Sequence, residues 1–220
     1  MVRQKRKLLI MESNKFSWQG ELTSVQPRIR LTRSFDQRSH SYLGYTLGIK
    51  GAIDGYDGEF LIGIGKAAQA KYGFRVGDRV SGQSHPVIDN RLETAQFYKA
   101  SALKVIERSA EDLNEPPPWL GVPPDLETYR ERGHRRLDAR TYKTKCQSCI
   151  WGCNMPVEII IDQWNPSQKR YRFESFCYGP KSCSLYRPGR FRSVPGRKGM
   201  VWEEEDWVDE QDTAHRSMDE

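Results

Sequence analysis

All five cysteines of this 220-residue chain fall between Cys146 and Cys183. Cys146 and Cys149 form a C-x2-C pair, Cys177 and Cys183 a C-x5-C pair, and Cys153 lies between them. Paired thiolates suit Zn2+, which takes four ligands tetrahedrally. The same residues could instead hold an iron–sulfur cluster, using Cys146, Cys149, Cys153 and one of Cys177 or Cys183. Disulfides are the third option, and the sequence argues against an oxidising compartment. The N-terminus is basic, but Leu8-Leu9-Ile10-Met11 is too short for the apolar core of a secretory signal. No stretch approaches the length of a membrane span. The chain therefore reads as soluble and cytoplasmic, with reduced thiols.

A hairpin would position these thiols. Val157, Ile159 and Ile161 alternate with Glu158, Ile160 and Asp162, the period of a strand. Asn165-Pro166-Ser167-Gln168 has turn chemistry. Tyr171, Phe173 and Ser175 then alternate with Arg172, Glu174 and Phe176 as a return strand. A hairpin flanked by two cysteine pairs gathers the thiols at one end, the layout of a zinc ribbon. Such a hairpin has too little core to fold without its metal. The expected ligands are Cys146, Cys149, Cys177 and Cys183, with Cys153 as a substitute. The five residues inside the second pair exceed the usual two to four.

The first half of the chain has strand patterning. Trp18, Leu22, Val25, Ile29 and Leu31 suit one long strand, with Pro27 at a bulge or edge. Leu43, Tyr45, Leu47 and Ile49 form one face of a second strand, and Tyr42, Gly44, Thr46, Gly48 and Lys50 the other. Asp54-Gly55 and Asp57-Gly58 lie in a hairpin loop, and Phe60, Ile62 and Ile64 make a third strand. A short helix over 66–72 follows, closed by Gly73 as its C-cap. A fourth strand follows Gly77-Asp78, and a fifth spans Tyr98 to Ile106. Three strands, a helix and two strands is the order of a five-stranded OB barrel. At the level of fold, residues 16–108 resemble OB-fold nucleic-acid-binding proteins that carry a zinc ribbon. The resemblance implies a mostly β architecture, an OB-like barrel followed by the ribbon module, and oligonucleotide binding on strands two and three.

Charge points the same way. Residues 201–220 hold nine acids and one base, so the first 200 residues carry +14 of the overall +6. A basic body with an acidic tail is common among nucleic-acid binders. The candidate contacts on the barrel are Arg28, Arg30, Arg33, Tyr42 and Lys50, with Arg28 and Arg30 facing away from the apolar side and Arg33 in the loop that follows. In the second module they are Lys169, Arg170, Arg172, Lys181, Arg187, Arg190, Arg192, Arg197 and Lys198, interleaved with aromatic residues. Arginine pairs with phosphate and aromatic rings stack on unpaired bases, so the expected ligand is single-stranded RNA or DNA.

The remaining segments divide the chain. Residues 1–15 read as a basic arm and 109–127 as a proline-rich linker, in which Trp119 and Leu120 suggest a strap across one module. Residues 128–200 form the basic ribbon-like module. The tail, 201–220, contains Trp202 and Trp207, which a purely solubilising tail would not need. It is expected either to dock on the protein's own basic surface or to recruit a protein partner. The latter makes an adaptor the alternative to the nucleic-acid binder. No phosphate-binding glycine loop, nucleophile elbow or histidine motif is present, and the four histidines are scattered. The chain reads as a non-catalytic binder.

Overall fold

The computed structural model describes residues 15–35, 37–110 and 117–219. Residues 1–14 of the expected basic arm and the Glu115-Pro116 start of the proline run lie outside the described residues.

The protein is mostly β. Five strands close into a ring: β1 (Phe16–Arg33), β2 (Arg38–Ile53), β3 (Tyr56–Ile64), β4 (Arg79–Pro86) and β5 (Phe97–Glu107). The order around the ring is β1-β2-β3-β5-β4 and back to β1. β1 makes closure possible through its 18 residues. It pairs with β2 along most of its length and with β4 over residues 16–21.

Two bulges tune the ring. Leu22 pairs with Ile49 and Ser24 with Gly48, so Thr23 is an extra residue on β1. That insertion switches the inward parity from Trp18 and Leu22 to Val25, Ile29 and Leu31, all of them buried. On β2, Arg28 pairs with Gly44 and Ile29 with Tyr42, leaving Leu43 as the extra residue. Leu43 thus drops out of the expected inner face, while Tyr45, Leu47 and Ile49 stay buried. Gly44 has φ +131°, and a Cβ there would collide with the Ile64 carbonyl oxygen. Helix α1 (Lys66–Tyr72) ends as expected at Gly73, whose αL conformation sends its N–H to Gln69 O at 2.8 Å.

The second half is built onto the same sheet. Helix α2 (Leu126–Arg132) is capped by Asp125, which accepts from Thr128 N at 2.9 Å. β6 (Arg135–Arg136), β7 (Gly152–Ile160) and β8 (Lys169–Cys177) follow, with β7 and β8 as the expected hairpin. β7 starts earlier than its alternation suggested, so Cys153, Met155, Val157 and Ile159 point into the core, and Ile161 does not. The end of β1 pairs in parallel with β7, from Leu31 to Arg33, which joins ring and hairpin into one eight-stranded sheet.

The expected boundary at 109–127 is therefore no break in the core. One buried cluster runs from Trp18 and Leu47 through Tyr129, Met155 and Phe176 to Val194. The described part of the linker straps across both halves. Tyr45 Oη donates to Pro124 O at 2.7 Å, and Ile150 N donates to Trp119 O at 2.9 Å.

The tail folds back. β9 (Arg192–Pro195) pairs with β10 (Val201–Glu204), and helix α3 (Asp206–Thr213) follows. Glu204 is buried and meets Arg33 at 2.9 Å and Arg38 at 3.4 Å. Asp212 meets Arg38, and Asp206 and Asp209 meet Arg136. Of the two expectations for the tail, docking on the protein's own cations is what its geometry displays. No helix among the described residues is long and apolar enough to cross a membrane.

Candidate metal centre and basic surface

The cysteine pairs are held by the fold from both sides. Cys146 closes a π-helical turn, Tyr142–Cys146. Gln26, buried in β1, latches this turn: its Nε2 donates to Cys146 O at 2.9 Å and to Cys149 O at 2.8 Å. Tyr142 Oη completes the latch by donating to Gln26 Oε1 at 2.7 Å. Cys177 ends β8, and the Gly179 N–H points at its Sγ from 3.4 Å.

Cys146, Cys149 and Cys177 pack with Leu137 in one buried cluster rimmed by Trp119, Tyr142, Trp151 and Tyr186. Cys183, partly exposed, is close enough to act electrostatically on all three. All five thiols are free. As placed, no three His, Cys, Asp or Glu side chains among the described residues form a metal-holding group. The four sulfurs are neighbours, not a closed coordination shell.

Hydrogen-bond donors and a cation surround two of the sulfurs. The backbone N–H groups of Trp151 and Trp119 favour charge on Cys149, and Gly179 N–H and the Arg135 guanidinium favour it on Cys177. Burial works against them and comes first. It pushes the Cys146 thiol up to about 12 and Cys149 to about 11. Buried thiols with aimed N–H donors are groups that a cation would deprotonate. Cys153 is different. It is wholly buried in the main core, its Sγ donates to Pro27 O at 3.4 Å, and burial drives its pKa up strongly. It sits outside the sulfur cluster.

The cations fall into two groups. Several expected to face outward are engaged inside the protein. Arg28 bonds Glu93 at 3.4 Å and Leu43 O at 3.2 Å, and Arg30 bonds Leu92 O at 3.0 Å. The outward side of β1 is covered by the segment between β4 and β5, which alternation could not reveal. Arg33 is buried against Glu204 with its guanidinium 5.4 Å from the Trp202 ring. Tyr42 lies under Arg130 at 4.9 Å instead of standing free to stack. Lys169 pairs with Glu158 at 2.8 Å. Arg172 bonds Glu174 at 2.5 Å, and Arg192 forms an ion pair with it at 3.0 Å. Lys181 donates to Arg216 O at 3.0 Å.

Lys50, Arg170, Arg187, Arg190, Arg197 and Lys198 remain exposed. Two exposed lysines missed in the sequence join them, Lys143 and Lys145 of the π-helical turn. Their signal was the Lys-Thr-Lys run just before Cys146. They line a groove of about 480 Å³ between that turn and the ring, together with Thr23 and Ser24 of β1, Gly48 of β2 and residues 59–61 of β3. No family model, curated protein or solved structure matches this chain.

Proposed function

We propose that the protein binds single-stranded nucleic acid in the groove between its five-stranded ring and its first cysteine turn. The observation that carries this reading is the placement of Lys143 and Lys145 over the β2–β3 side of the ring, beside the small residues Ser24 and Gly48. The ring order β1-β2-β3-β5-β4, with α1 between β3 and β4, is the connectivity of an OB fold. In OB folds the β2–β3 face takes oligonucleotides. The excess of +14 over the first 200 residues supplies long-range attraction for phosphate.

The test is binding to a random single-stranded oligonucleotide across a salt series. The expected log affinity falls linearly with log salt, by about 0.7 per phosphate neutralised. Replacing Lys143 and Lys145 with glutamate should weaken binding by roughly tenfold or more at low salt. An oligonucleotide that fails to bind even at low salt rejects this function.

The cysteine cluster belongs to the same reading as a clamp. Zn2+ fits its donors: Cys146, Cys149, Cys177 and Cys183 would hold it. When bound, the metal supplies a fixed structural cross-link between the π-helical turn and the end of β8. Lys143 and Lys145 would then inherit that rigidity through Cys146. Elemental analysis should find one zinc per chain, retained in Cys153→Ser and lost in Cys177→Ser. Iron and a brown colour would point to a cluster instead, and loss of metal from Cys153→Ser would move the site.

A protein partner has one observation of its own. Trp207, 52% exposed, lines a cleft of about 410 Å³ with Phe35 and Trp202, and exposed aromatic side chains favour partner contacts.

A further inference from the structure

Three of the chain's four histidines, scattered in sequence, meet at one cavity. His40 of β2, His134 beyond α2 and His215 beyond α3 line a space of about 410 Å³ with Arg38, Arg130 and Asp212. The His40 and His134 rings stand edge to face at 4.9 Å, and His134 packs on Phe176 at 4.4 Å.

Three features make this a place for an anion. First, the Nε2 of His40 is buried and lacks a hydrogen-bond partner. Buried polar atoms are normally satisfied, so an unpaired ring nitrogen beside a cavity calls for a polar ligand. Second, His215 Nε2 stands 2.6 Å from the Glu131 carbonyl oxygen. A carbonyl only accepts, so that nitrogen carries the proton, and Nδ1 can donate to an anion only from the imidazolium form. Third, the local field is positive. Burial is the main reason both His40 and His134 resist protonation, but Arg38 and Arg33 add to it at each ring. Glu204 opposes them at His40 alone. Of the two acidic residues lining the cavity, Glu131 and Asp212, Asp212 is already bonded to Arg38. Arg130 stays exposed, with its guanidinium over Tyr42.

We propose that this cavity binds a phosphate monoester, with Arg130 as its charged fork and the imidazoles of His40 and His215 as its hydrogen-bonding partners. A guanidinium matches two phosphate oxygens at once, and imidazoles complete the shell at modest cost in charge. The site is separate from the groove that takes the strand. The monoester can be free in solution or the terminal phosphate of a bound strand.

Inorganic phosphate is the probe. The full chain, labelled for observation of histidine ring C–H signals, is titrated with it at neutral pH and constant ionic strength. The His40 and His215 signals should shift saturably in the millimolar range, while His85 in β4 should not move. Arg130→Gln, an exposed position, should weaken the effect by roughly tenfold. Absence of a saturable shift, or a shift unchanged in Arg130→Gln, overturns the proposal. A second arm compares one oligonucleotide with and without a 5′-phosphate. Tighter binding of the phosphorylated form, lost in Arg130→Gln, identifies the strand terminus as the source. Equal affinities with the phosphate shift intact identify a free monoester. If neither oligonucleotide binds while the phosphate shift persists, strand binding fails and this site stands.

Discussion

Replacing Arg136 with alanine should destabilise the fold by about 3–5 kcal/mol, the cost of breaking a buried charge pair by removing one partner. The Arg136 side chain is wholly inaccessible. Its backbone N–H and its Nε both donate to Asp209 Oδ2 at 3.0 Å. Its Nη1 donates to Glu204 O at 2.7 Å, and its Nη2 reaches Asp206. It thereby ties β6 to β10 and α3 at once. Without it, Asp209 is left in a site where burial already pushes its carboxyl up and Arg136 is what pulls it back. Urea unfolding measures the loss, and Trp207 fluorescence reports whether α3 comes away first. A double variant, Arg136→Met with Asp209→Leu, should recover much of the stability, because a packed apolar pair can stand in for a buried ion pair. A loss under about 1 kcal/mol in Arg136→Ala would mean that the tail is docked too loosely for this pair to matter.

That prediction could not have come from the sequence, and the reason is physical. Nothing local to Arg33 or Arg136 marks either as buried, because sequence pattern reports only on a residue's own element. Their partners, Glu204 and Asp209, lie 171 and 73 residues away in a tail that composition marks as polar. The same limit explains Arg28 and Arg30: they do leave the apolar side of β1, and the segment before β5 covers them there. What depends on local chemistry was legible. Gly73 ends α1 because it adopts αL freely, and the Asn165–Gln168 turn joins β7 to β8. The length of β1 was legible too, although its bulge lies at Thr23 and not at Pro27. The bulge at Leu43 was not, because Gly44 needs its conformation through contact with Ile64 on another strand. At the candidate site, the cysteine spacing put Cys146, Cys149, Cys177 and Cys183 together, and the first three of them pack in one buried cluster. It said nothing of Gln26, whose latch crosses about half the chain, nor of the three histidines that share a cavity.

Those histidines set the second large effect. Acidification from pH 7 to about 4.5 should cost the folded state about 2 kcal/mol through His40 alone, at 1.36 kcal/mol per unit of pKa difference. Burial, then Arg38 and Arg33, lower the His40 pKa from the ordinary imidazole value of 6.5 to about 4. An unfolded chain has no such burial, so its His40 takes up a proton near 6.5. Between 6.5 and 4 the unfolded state binds more protons than the folded one, and stability falls as pH falls. Below 4 both states are protonated there and His40 adds no further loss. His134 is lowered further, by burial and by His40, Arg38, Arg192 and Arg33, and it acts in the same direction. Asp209 and Asp212 act in the opposite sense, since burial raises both carboxyls and the folded state protonates them earlier. Their window begins nearer the carboxylate range, so the upper part of the transition, from 6.5 to 5, belongs to the imidazoles. Urea unfolding at a series of pH values in phosphate-free buffer measures the slope. His40→Phe keeps an aromatic ring against His134 and removes the titrating group. It should flatten the fall between pH 6.5 and 4.5 by about 2 kcal/mol. An unchanged slope in that variant would mean that His40 is solvated and charged in the folded protein, and that the tail does not seal it.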